Sequence, residues 1–169
     1  MELSLIGVVY VSDAARAFDA PELQQLAIDA AQRNAEREVS GFLYYQDGKF
    51  LQYIEGADSN VSALMEKITG DPRHTVTHQR RDALLPTRRF PNWSMRRLTR
   101  EKLVVLEELL RDIVTGNNVT GNNATNANSQ RNNQTSLERR IWRMIELVRD
   151  YHDLHPEKHD DYDELTSTA

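Results

Sequence analysis

The chain has 169 residues, with 21 basic and 26 acidic side chains, no cysteine and a net charge of −5. That length allows one domain with a substantial core plus an appendage. The missing cysteines exclude disulfides, thiolate metal sites and cysteine nucleophiles. The weakly acidic balance gives no reason to expect direct nucleic-acid binding, and no apolar run reaches the length of a membrane span.

A strand-like run begins within a few residues of the start, with no basic stretch or cleavage site before it, so a soluble cytoplasmic protein is expected. Residues 3–12 (LSLIGVVYVS) are β-branched and apolar, the pattern of a buried strand. Tyr10 lies near its end, and a buried tyrosine hydroxyl usually has a partner. Residues 13–20 read as a loop. Pro21 and Glu22 then open a helix running to about Glu36. Leu23, Leu26, Ala27, Ala30 and Ala31 give it an apolar stripe. Asn34, three residues on, shares the sheet-facing side, either as a capping amide or as a ligand contact.

The stretch Ser40 to Gly56 (SGFLYYQDGKFLQYIEG) reads as a hairpin with Asp47-Gly48 at the turn, since both residues tolerate positive φ. In its second strand Phe50, Gln52 and Ile54 share one face, while Leu51, Tyr53 and Glu55 share the other. A buried amide must be hydrogen-bonded or cost about 1–3 kcal/mol. Gln52 therefore serves a polar heterocycle or a tyrosine, or is a core glutamine met by backbone or water.

A second helix is expected over roughly residues 57–69, with Val61, Leu64, Met65 and Ile68 on its buried face, stopped by Asp71-Pro72. Residues 75–84 alternate loosely, as an exposed-face strand would. Residues 89–98 (RFPNWSMRRL) read as another strand, edge-placed or kinked by Pro91. The order strand, helix, strand, strand, helix, strand, with one further strand, is that of an α+β ferredoxin-like βαββαββ sandwich, with two helices on one sheet face. The groove between the helices is where a flat ligand would lie.

Residues 99–115 carry an amphipathic helix pattern. Residues 116–135, with eight asparagines and two glycines, read as a flexible linker. Ser136 is the expected cap of another helix over 136–155, with Leu137, Ile141, Met144, Val148 and Tyr151 as its seam. It is too short for a free-standing coiled coil and needs a surface to cover it. Residues 156–169 form an acidic tail, and His152, His155 and His159 give no convincing metal spacing; no metal is expected.

Tyr10, Asn34, Gln52 in FLQYIEG, DPRH (71–74) and RRFPNWSM (88–95) together resemble the BLUF family, which senses blue light using FAD. The similarity covers about residues 3–98, so residues 1–98 are expected to form the photosensor domain. The resemblance implies noncovalent FAD between the two helices. It makes Tyr10, Gln52, Trp93 and Met95 the photoactive residues, the last two matching the family's fifth strand. Residues 92–98 are expected to lie near Gln52 in the sheet, with Trp93 and Met95, two apart, on one face. Cofactor contacts follow for Asn34, Gln52, Leu26, Ile68, Arg33, Lys67, Arg73 and His74. It further implies that light moves an electron from Tyr10, that a proton follows through Gln52, and that the amide then rearranges. The flavin is left chemically unchanged and slightly red-shifted.

The residue chemistry agrees. A phenol is a workable one-electron donor only if its proton leaves with the electron, and an amide can present either a donor or an acceptor. The chain departs from the family's common pattern in having Arg33 before Asn34, and Lys67 where an arginine often stands. Lysine lacks the planar fork. No enzymatic output domain is expected. Output is expected to pass through the fifth strand and the C-terminal helices, to a light-dependent protein partner or a homo-oligomer. A ferredoxin-like hydrolase using Arg33 and Asn34 in an anion site, and a flavin-free interaction module, are the rival readings.

Overall fold

Seven elements follow one another in the computed structural model, which describes residues 4–99, 139, 141–151 and 153. They are β1 (Leu5–Ala14), α1 (Ala20–Glu36), β2 (Ser40–Gln46), β3 (Lys49–Ala57), α2 (Asp58–Thr69), β4 (His74–Leu85) and β5 (Arg96–Leu98). Asp19 caps α1 by accepting the Glu22 backbone N–H, and Glu22 reciprocates, a capping box with Pro21 just inside it. Asp47 and Gly48 both have positive φ, at 50° and 75°, so the β2–β3 hairpin turns where expected.

The sheet order is β4-β1-β3-β2-β5, the ferredoxin-like arrangement extended by one strand. β1 pairs antiparallel with β3 and β4, and β5 runs parallel to β2. Period-two alternation splits the residues between two cores. Ile6, Val8, Tyr10, Leu43, Phe50 and Ile54 pack under α1 and α2. Val9, Val11, Phe42, Leu51 and Tyr53 point to the opposite face.

That opposite face is covered by the helical residues 141–151. Ile141, Met144, Ile145 and Val148 are buried there, spaced three, one and three apart as one helix stripe requires. Burying four such side chains contributes roughly 6–12 kcal/mol before chain entropy is counted. The seam expected from the sequence therefore meets the back of the sheet. Ile145, omitted from that seam, belongs to it. Tyr151 is half-buried. The expectations over 100–138 and 154–169 lie outside the described residues, as does that for His152.

The expected strand over residues 89–98 is corrected: only Arg96–Leu98 is a strand. The Glu55 carboxylate takes the backbone N–H groups of Arg89 and Phe90, at 2.9 and 2.6 Å. The Trp93 N–H turns back to the Phe90 carbonyl. These amides are held in a local fold and are withdrawn from a sheet ladder. Trp93 and Met95, expected on one face, lie on opposite faces. Trp93 stacks on Phe90 in the back core, and Met95 enters the helix-side core. The expectation that residues 92–98 lie near Gln52 holds at Met95, whose Sδ is 3.4 Å from Gln52 Nε2, although β2 separates β5 from β3 in the sheet.

Candidate functional site

Tyr10 and Gln52 face each other across β1 and β3, as direct partners in register. Tyr10 donates its hydroxyl hydrogen bond to Gln52 Oε1, and Gln52 Nε2 lies 3.4 Å from Met95 Sδ. A phenol, an amide and a thioether thus form one chain of contacts on the floor of a cleft. Gln52 is 8% exposed, so the amide is sealed among apolar neighbours yet partnered at both ends. Burial raises the Tyr10 pKa far above the ordinary phenol value, and the Asp71 carboxylate raises it further. The hydroxyl therefore keeps its proton at any physiological pH.

The cleft lies between α1 and α2 and has a volume of about 170 Å³. α1 supplies Leu26, Ala30, Arg33 and Asn34, Arg37 caps its C-terminal end, and α2 supplies Leu64, Lys67 and Ile68. Asp71, Arg73 and His74 close one end. Every residue expected to contact a cofactor therefore lines this cleft. Trp93 does not, and Met95 reaches it only through Gln52.

Each polar wall residue has a distinct setting. Asn34 Nδ2 donates to the Ser94 carbonyl at 2.9 Å, tying α1 to the segment that carries Met95. Arg73 Nε and its backbone N–H both bond Asp71, at 3.0 and 2.9 Å. Those bonds hold the Asp71 carboxyl at about 2, well below the usual range. Arg33, Arg37, Lys67 and Arg73 outnumber the one carboxylate, a rim suited to an anionic group. His74 stacks near Tyr10, with ring centroids 6.2 Å apart, and desolvation lowers its pKa so that it is neutral at pH 7.

Whether these residues suit a bound heterocycle can be judged from their unmet hydrogen bonds. Ser12 Oγ and His74 Nδ1 are buried without a protein partner, and both residues line the cleft. Buried polar atoms left unpaired are costly, and a flat ligand carrying donors and acceptors at its edge suits them. The fit is good. The sequence reading passed over Ser12, Leu43, Phe50 and Asp71 as wall residues. Period-two spacing from Tyr10 and Gln52 points to Ser12 and Phe50. Asp71 opens the DPRH motif, yet by itself it reads only as the stop of a helix.

Residues 5–96, more than half of the chain, match the BLUF family, described as sensors of blue-light using FAD. Photoactivated adenylate cyclase subunit beta of Euglena gracilis is 31% identical over 109 residues, 64% of this chain and 13% of that protein. A bacterial light-regulated adenylyl cyclase superposes with a TM-score of 0.59 at 27% identity, over 66% of this chain and 34% of the other. The dark-state structure of BlrB, a BLUF protein, gives 0.55 at 28% identity, over 69% of this chain and 86% of that one. The chain belongs to the BLUF family of blue-light sensors. It spans about 13% of the curated relative just described. Among the described residues, no helix is long and apolar enough to cross a membrane.

Proposed function

We propose that this chain binds FAD noncovalently in the cleft between α1 and α2 and reports blue light by rearranging the Tyr10–Gln52–Met95 contacts. The observation that carries the reading is the Tyr10 hydroxyl bonded to Gln52 Oε1 on the cleft floor, near two buried polar atoms without protein partners. Leu26 and Ile68 would hold the ligand's apolar part, Asn34, Ser12 and His74 would offer it hydrogen bonds, and Arg33, Arg37 and Lys67 would suit its phosphates.

When bound, a flavin supplies the light absorption and an excited state able to accept an electron. With a flavin bound, Tyr10 would be placed to give the electron and Gln52 Oε1 to take its O–H proton, because burial opposes a separated charge at this site, and both would return to Tyr10 so that the flavin is left unchanged. Gln52 then exchanges the ends it presents. An amide has both a donor and an acceptor end, so either orientation can be satisfied. Met95 Sδ is a weak acceptor on a flexible side chain and yields to that exchange at little cost.

The switched state reaches a protein partner or a second copy through the helical residues 141–151 behind the sheet. The chain acts as a sensor, not as a catalyst. The test is direct. Protein freed of cofactor is titrated with FAD in the dark and followed by flavin fluorescence. Saturable binding, weakened in Asn34→Ala and released intact on acid denaturation, is expected. A protein that stays colourless after FAD addition refutes the reading.

A further inference from the structure

Glu55 is a carboxylate with 0% exposure on the face of β3 opposite Gln52. It accepts from the Tyr53 hydroxyl at 2.9 Å, from Ser40 Oγ at 3.3 Å and from the backbone N–H groups of Arg89 and Phe90. Arg89 extends from that anchored backbone. It donates to the Tyr53 hydroxyl at 2.9 Å and pairs with Asp82 of β4, also at 2.9 Å. Its guanidinium carbon lies over the Trp142 ring, 5.5 Å from the centroid, and the Trp142 and Tyr53 rings meet edge-on at 6.5 Å.

Two kinds of contact therefore hold residues 141–151 to the sheet. Ile141, Met144, Ile145 and Val148 supply apolar burial, which is non-directional and tolerates sliding. The Arg89–Trp142 stack is directional, and it is referred to β3 through Tyr53 and Glu55. Tyr53 follows Gln52 in the chain, so a shift of β3 at Gln52 moves the Tyr53 hydroxyl on the opposite face. Arg89 is fixed by Tyr53 at one point and Asp82 at another, so its plane tilts when those two strands move relative to each other.

We propose that Arg89 is a positioning residue that couples β3 to the C-terminal helical residues, with Trp142 as its counterpart. The inference rests on the light-sensor reading and adds the route by which the cleft reaches the far face. It places that route through β3, whereas the sequence pointed to the fifth strand.

The test uses the full chain loaded with FAD, in the dark and under blue light. Hydrogen exchange is read at residues 141–151, and the red shift is read from the absorption spectrum. In the wild type, light is expected to change protection of this segment by roughly 5–150-fold, the usual span of site-to-site coupling. Arg89→Lys keeps a charge for Asp82 but loses the planar stack. It should keep the full red shift and lose most of the light-dependent change in protection. Trp142→Leu, which keeps apolar burial, should do the same. The proposal is overturned if both variants retain the wild-type difference in protection, or if the wild type red-shifts with no difference at all. A wild type with no red shift overturns the light-sensor reading together with this inference, and the spectrum alone identifies that failure.

Discussion

At the scale of single residues, the floor of the cleft is marked by polar side chains on an apolar face. Tyr10 and Gln52 each interrupt such a face, and the register of β1 against β3 makes them partners. The Asp71–Arg73 pair sits at the end of the same cleft and has a pH signature. Its folded pKa is depressed, to about 2 from 3.8, so its stabilising effect is present above about pH 4 and is lost as pH falls toward 2. Asp71→Asn should therefore be less stable than wild type at pH 6, with the gap closing on acidification. Because the pair is largely solvated, the gap at pH 6 should be within about 1 kcal/mol. Denaturant melts of both proteins at pH 6 and pH 3 check this. Gln52 was legible in sequence because a strand with that alternation has no ordinary use for an amide. Glu55 was not, although it is more deeply buried. In sequence a glutamate near a strand end reads as exposed, and three of its four donors, from Ser40, Arg89 and Phe90, lie 15 to 35 residues away in the chain.

At the scale of elements, each piece with a local rule was readable. The hairpin follows from Asp47-Gly48, the first helix from Pro21 and Glu22, and the exposed β4 from its polar alternation. The fifth strand was over-read because its residues satisfy Glu55 and Phe90 before they reach β2. That is a tertiary competition for backbone amides, invisible to periodicity. β1 contains a similar long-range constraint. A Cβ added at Gly7 would lie 2.5 Å from the Tyr53 hydroxyl oxygen, which bonds Glu55 and Arg89. Gly7→Ala should destabilise the domain by about 1–3 kcal/mol through overpacking of that face. Equilibrium urea unfolding measures it, and a midpoint equal to wild type would mean that the ring moves aside freely.

At the scale of the whole molecule, the sheet is a partition. One side holds the cleft with Tyr10 and Gln52, and the other holds the seat for residues 141–151. Stability and light response should therefore be separable. Ile145 is fully buried on the far side, and Ile145→Ala should cost about 2–5 kcal/mol in unfolding free energy. The same variant, kept below its melting temperature, should show an unchanged dark flavin spectrum, since none of the cleft residues is touched. A shifted dark spectrum in Ile145→Ala would show that the two sides are not independent at rest.

The central claim is that Tyr10 and Gln52 form the photoactive switch of a flavin-binding sensor. The most direct measurement is a light-minus-dark absorption spectrum of the FAD-loaded protein beside Gln52→Leu. The wild type should show a small, fully reversible red shift in blue light. Gln52→Leu should bind FAD and show none, because the apolar volume remains while the exchangeable amide is gone. A Gln52→Leu protein that red-shifts like the wild type would contradict the account.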